Sequence, residues 1–292
     1  MAGQCWLEVA LNGPWGKRRQ PHVPVSVDEI VNDAVACVEA GAAIVHFHAY
    51  DVATGRQKDD ADLYAAIVDG VRSRCDGIVY PTLPADGSAD IDPQGGADAR
   101  FAALKGLADR GLVEWGALDP GSMNFAHAGQ VAAGDKGFVY TNSVEHIRAG
   151  LGFAATLGLP MAYAIYEPGF LRLGAQLAAE QPGAGQPIYR LMFTDGFTFS
   201  YPPKPYALQA YHELLREFAP DAPWMIAGLD VDLTPLIPLA VALGGHVRVG
   251  LEDARLGTPK TNLEIVTEAV SAIEGAGGSL ARPDQIRASL RQ

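Results

Sequence analysis

His46 and His48 stand two residues apart at the end of the apolar run AIVHFHAYD, residues 43–51, in a chain that has seven histidines. On a β-strand, positions i and i+2 face the same side. A strand here therefore turns both imidazoles toward one point. Two imidazoles and one carboxylate make an ordinary divalent-metal site with positions open to substrate. A fitting carboxylate lies far along the chain in HVRVGLED, residues 246–253, which holds Arg248, Glu252 and Asp253. Alternation puts Arg248, Gly250 and Glu252 on one face, and Gly250, with no side chain, leaves room beside a ligand. A blander reading stands beside this one. Buried histidines are more often hydrogen-bonded than ligating, and Arg248 can simply pair with Glu252 or Asp253.

Other apolar runs also end in polar residues: Asn12, Thr82, Asp119 with the following GSMNF, Glu167 and Asp195. Ser122 and Asn124 in GSMNF suit either a turn or the recognition of a carboxylate. Glu167 is read equally as a catalytic group or as a carboxylate set at a helix N-terminus. GKRRQPH, residues 16–22, places Lys17, Arg18 and Arg19 together in a chain of net charge −12. Such a run is either a solvated loop or a binding site for the phosphates of a large anionic cosubstrate.

These residues need a frame. Short β-type runs alternate with amphipathic helical stretches from end to end, eight strands and about eight helices. Ser26 followed by Glu29 marks a capping box; other helices are read over residues 60–74, 99–110, 143–158, 206–218, 236–243 and 262–274. Strict alternation implies parallel strands with crossover helices. Residues 1–292 thus read as a single (β/α)8 TIM barrel, with loop insertions near residues 84–98 and 181–205. A doubly wound open sheet is the alternative, but no G-x-G-x-x-G follows the first strand. In a barrel the strand C-termini form the active mouth, and even-numbered strands share an interior layer. Strands two and eight carry His46, His48 and Glu252 to one point.

Composition narrows the setting. With 48% hydrophobic and 19% charged residues the chain has material for a sizeable core. It shows no apolar leader or membrane-length run, and its three cysteines form no CxxC, so a cytoplasmic protein with reduced thiols is expected. The acidic balance argues against nucleic acid and toward small molecules.

ALNG, PVSVDEIVNDAVACVEAGAAIVHFHAYD, GSMNF and VRVGLEDA together resemble the β-keto acid cleavage enzymes, among them the 3-keto-5-aminohexanoate cleavage enzyme, over about residues 10–254. The resemblance implies a zinc-dependent barrel, commonly a homotetramer, that condenses a β-keto acid with acetyl-CoA and releases acetoacetate and a new acyl-CoA. It implies that His46, His48 and Glu252 bind Zn²⁺, and that Asp253 is the general base, oriented by Arg248. Ser122, Asn124 and Thr82 match substrate-contacting positions, and Glu167 is the candidate for a glutamate assisting the arginine. Asn12 and Tyr50 join them as substrate-binding candidates, and Lys17, Arg18 and Arg19 are candidates for the coenzyme. The chain departs from the family in having Tyr50 where an arginine is common, and Pro14 and Trp15 where some members have a glutamate. These changes bear on substrate identity. Two other readings remain: a different metal-dependent barrel, such as an amidohydrolase-like hydrolase or an aldolase, and a barrel without catalysis.

Overall fold

The computed structural model describes residues 4–84 and 96–290. Eight apolar runs form strands β1 (Leu7–Ala10), β2 (Ile44–Phe47), β3 (Ile78–Pro81), β4 (Gly116–Leu118), β5 (Met161–Ile165), β6 (Ile188–Thr194), β7 (Trp224–Leu229) and β8 (His246–Val249). Every strand-to-strand pairing among them is parallel, in the order β3-β2-β1-β8-β7-β6-β5-β4. The two end strands, β3 and β4, also lie against each other, so the sheet curls into a nearly closed barrel. Covered by helices outside and packed with side chains inside, such strands must be apolar on both faces. IVHF, IVYP and MAYAI are accordingly buried at every position.

The crossovers are α1 (Val27–Glu39), α2 (Ala61–Arg72), α3 (Gly96–Ala108), α4 (Val144–Leu157), α5 (Pro168–Ala179), α6 (Pro205–Phe218), α7 (Ile237–Ala242) and α8 (Asn262–Gly275). In α1 the buried stripe is Ile30, Val31, Ala34, Val35 and Cys37, the spacing of one helical face. Ser26 and Glu29 form the expected capping box, and Ser143 Oγ accepts from the His146 amide to start α4. Thr261 and Glu264 cap α8 in the same reciprocal way.

Several expectations shift. The second expected insertion, residues 181–205, is divided by β6: residues 181–187 join α5 to β6, and residues 195–204 join β6 to α6, with Phe197 packed on Trp15 and Phe125. The first falls mainly on residues 85–95, outside the described residues, and its end, Gly96 onward, already belongs to α3. Residues 119–142 are more than a turn. Met123–Phe125 and Phe138–Tyr140 pair as an antiparallel hairpin with the short helix Ala128–Ala132 between them. Phe138 stacks on Phe125 at 5.0 Å, which holds the hairpin together. The basic run is not a loop either, for Gly16–Arg19 is one helical turn. Among the described residues no helix is long and apolar enough to cross a membrane.

Candidate active site

β2 ends at Phe47 and β8 at Val249, so His48, Glu252 and Asp253 stand just beyond the strands. Their placement depends on local hydrogen bonds. The Asn12 side chain takes the His48 amide at 2.9 Å and donates to the His48 carbonyl at 2.9 Å and the Pro24 carbonyl at 2.8 Å. Asn12 thus splints the end of β2 to β1. On the other side, Glu252 N donates to the Ala10 carbonyl at 3.2 Å, and the Trp15 indole donates to the Glu252 carbonyl at 2.7 Å. Gly250 sits at φ +137°, where a Cβ would lie 2.2 Å from the Ala10 carbonyl oxygen. The room that Gly250 leaves is therefore taken by the backbone of β1, and is not beside a ligand as its spacing suggested.

The result is a compact donor set. Nε2 of His46 and Nε2 of His48 each lie 3.5 Å from Glu252 Oε2, and all three residues are buried. Ligand atoms from the three fall within 4.8 Å of one another. His48 Nε2 and Glu252 Oε2 are buried without a hydrogen-bond partner. Buried polar atoms are nearly always partnered, and two imidazoles and a carboxylate are what a divalent cation of borderline softness binds. The donors present fit such an ion.

Behind them, His48 Nδ1 lies 2.8 Å from Gln57 Oε1, while Gln57 Nε2 donates to Asp59 at 2.9 and 3.1 Å. With its Nε2 donating to Asp59, the Gln57 amide turns its oxygen to His48. His48 then carries its proton on Nδ1 and presents a lone pair at Nε2. Burial holds the His46 imidazole well below its ordinary range, so it stays neutral and able to ligate. Burial alone would raise Glu252, but the Arg248 guanidinium outweighs it and holds that carboxyl well below the usual range.

Arg248 is the hub of the floor. Its Nη2 lies 2.8 Å from Glu252 Oε1 and 2.7 Å from Asp253 Oδ1, and its Nη1 is 3.5 Å from Glu8 Oε1. Asp253 also accepts from the Gly228 amide at 3.1 Å. Burial pushes Asp253 up to about 6 against the pull of Arg248. Glu8 in turn accepts from the Tyr80 hydroxyl at 2.6 Å. The paired carboxylates are thus Asp253, Glu252 and Glu8. Glu167, the expected assistant of Arg248, instead sits at the start of α5 and accepts from the Ser200 amide at 3.2 Å.

A cavity of about 270 Å³ opens above this floor. His46 of β2, Ala117 of β4, Arg190 of β6 and Arg248 of β8 all face it, one layer from the even strands. Its described lining also includes His48, Glu252, Thr82 and Arg19. Trp15, Phe125, Phe138 and Tyr166 supply an aromatic upper wall, with Trp15 stacked on Phe197 at 6.0 Å. Other expected contacts lie elsewhere. Asn12 is spent on backbone groups, and the Tyr50 hydroxyl donates to the Gly13 carbonyl, pinning the loop after β1. Ser122 Oγ is bonded to the Asn142 backbone in both directions, and Asn124 is exposed on the hairpin. Lys17 is paired with Glu29 at 2.6 Å and Arg18 is exposed, so of the three basic residues Arg19 alone lines the cavity. Asp253 faces Arg248 and Gly228, outside the described lining of this cavity.

Sequence reasoning missed Glu8, Tyr80, Arg190 and Gln57. Glu8 and Arg190 carry a readable signal, a lone charged residue inside an otherwise apolar strand. Gln57, on a two-residue strand, carries none.

The chain matches the family model described as "beta-keto acid cleavage enzyme" over residues 4–291. It is 28% identical to the 3-oxoadipate:acetyl-CoA acetyltransferase of Cupriavidus necator, covering 99% of this chain and 95% of that one. It is 27% identical to the 3-dehydrocarnitine:acetyl-CoA trimethylamine transferase of Rhizobium meliloti, over 94% and 91% of the two chains. Among solved structures, apo ObcA superimposes with a TM-score of 0.72 at 19% identity, over 93% of this chain and 66% of the longer ObcA chain, a likeness of fold. The match over nearly the whole length places this chain in the beta-keto acid cleavage enzyme family.

Proposed function

We propose that the protein converts R–CO–CH2–COO⁻ and acetyl-CoA into acetoacetate and R–CO–S-CoA, with Zn²⁺ held by His46, His48 and Glu252. The observation that carries this reading is the buried donor set, whose His48 Nε2 and Glu252 Oε2 lack hydrogen-bond partners at the floor of the cavity. The names of relatives from Cupriavidus necator and Rhizobium meliloti, both acting with acetyl-CoA, support the cosubstrate. When bound, the ion supplies Lewis acidity to polarise the substrate ketone. Asp253 accepts the proton from the carbon between ketone and carboxylate, turning from Arg248 into the cavity to do so. Its pKa of about 6 suits a base working near neutrality. Arg248 keeps Glu252 ionised and fixes Asp253 in its resting place. Thr82 borders the substrate, and Arg19, at the cavity rim, meets the coenzyme phosphates. Self-association, a homotetramer by the family resemblance, is in keeping with Phe138 and Val139, which are 53% and 59% exposed on the hairpin.

Purified protein supplied with Zn²⁺, acetyl-CoA and a panel of 3-oxo acids is expected to form acetoacetate and consume the acid in equal amounts. No acetoacetate from any member of a broad panel would contradict the reading.

A further inference from the structure

Two arginines are buried at the cavity floor, and their surroundings differ. Arg248 is shared among Asp253, Glu252 and Glu8, so its charge is matched several times over. Arg190, on β6, has a side chain 4% exposed and lines the same cavity. Its Nη1 donates to the Tyr80 hydroxyl at 3.3 Å and its Nη2 to the Ala162 carbonyl at 3.0 Å, both neutral groups. The ion pair described for it is with Asp119, at a loose 3.8 Å. Asp119 is already engaged by the Tyr140 hydroxyl at 2.6 Å and the Ala164 amide at 3.3 Å. Arg190 Nε is buried with no hydrogen-bond partner. A guanidinium cannot shed its proton, and a buried charge without a close counter-charge is costly. Facing a cavity, it is a receptor for an anion.

The sequence had offered Ser122 and Asn124 for a substrate carboxylate, but one is spent on Asn142 and the other is exposed. Of the rest of the wall, Leu83, Phe125, Phe138, Tyr166, Met192 and Leu229 are apolar or aromatic. Gln57 and Tyr140 are engaged with Asp59 and Asp119, Thr82 Oγ1 donates to the Leu83 carbonyl, and Arg19 is the charge assigned above to the coenzyme. Glu252 and Asp119 are committed to neighbours, which leaves no free carboxylate in the described lining for an ammonium group. We propose that Arg190 receives the carboxylate of the β-keto acid, and that the substrate class is 3-oxo acids whose remaining chain is uncharged and apolar. This rests on the reaction proposed above. Arg190 is then the residue that separates an acid from the matching methyl ketone, which has lost its carboxylate.

The test uses the zinc-loaded protein, Arg190→Met and Arg190→Lys. Binding is measured calorimetrically, without acetyl-CoA, for an apolar 3-oxo acid and for its methyl ketone. Wild type is expected to prefer the acid by on the order of 100-fold, the worth of a buried charge-assisted contact. Arg190→Met should lose that preference and raise KM for the acid by a similar factor, with zinc content and KM for acetyl-CoA unchanged. Arg190→Lys keeps the charge without the fork and should fall between, which reads the same point should the Met variant not fold. An undiminished preference for the acid in either variant overturns the assignment. So does an aminated or dicarboxylic 3-oxo acid outcompeting the apolar ones. If wild type makes no acetoacetate from any acid, the reaction reading fails, while the acid-over-ketone comparison still decides whether Arg190 binds the carboxylate.

Discussion

At the scale of single residues, the imidazole that matters most is held by a chain of three groups: His48, Gln57 and Asp59, with the Tyr64 hydroxyl donating to Asp59 at 2.5 Å. Replacing Gln57 with Leu leaves the three donors in place but removes the acceptor that selects the His48 tautomer. Zinc affinity is expected to fall roughly 10- to 100-fold, measured by competition with a chelator; unchanged affinity would show that Gln57 does not orient His48. Asp253→Asn is expected to keep zinc while turnover drops by about 10²- to 10⁴-fold, and a variant with near wild-type kcat would remove Asp253 from the proton transfer. The donors His46 and His48 were legible because side-chain type and i, i+2 spacing show in the sequence, and Glu252 by its side-chain type at the end of an apolar run, although it lies in the turn past β8. Gln57 was not, because a neutral amide in a short hairpin has no pattern that separates it from any surface residue.

At the scale of elements, the site is assembled where β1 passes between β2 and β8. Glu8 pairs in register with Arg248, and Ala10 with His46. Gly250 lets the β8 turn close onto the Ala10 carbonyl, and Glu252 N completes the contact. Gly250→Ala combines a backbone angle that side chains rarely adopt with a Cβ pressed on backbone atoms that cannot move aside. A destabilisation of at least about 2 kcal/mol is expected, read by chemical denaturation, together with loss of metal. Full stability in this variant would mean that the turn relaxes freely. The βα alternation and its order could be read from the sequence because buried parallel strands and amphipathic crossovers have distinct periods. The hairpin over residues 119–142 could not, because its strands are three residues long, too short for a period to show.

At the scale of the whole molecule, charge and burial are divided between the two ends of the barrel. The mouth holds the buried carboxylates and arginines, while the opposite end carries His246, stacked on Trp6 at 4.2 Å and accepting the Trp6 amide at Nδ1. Burial lowers His246 from 6.5 to about 3. Below pH 6.5 the unfolded chain therefore takes up a proton that the folded chain refuses, so this contribution to stability is complete above pH 6.5 and is lost as pH falls toward 3. The loss amounts to at most about 4 kcal/mol at the bottom of that window. His246→Phe keeps the stack but removes the titration. Near neutrality it should cost about 1 kcal/mol for the lost Trp6 acceptor, while its melting temperature falls less steeply than wild type between pH 6.5 and 4. Parallel slopes would place the acid sensitivity elsewhere.

The claim on which the rest depends is that His46, His48 and Glu252 form one metal centre. Elemental analysis of the native protein beside His46→Ala/His48→Ala, both checked for a folded barrel by circular dichroism, tests it most directly. Stoichiometric zinc in the native protein and its loss in the variant is the expected result. Equal zinc in both proteins, or none in either after growth with the metal supplied, would contradict it.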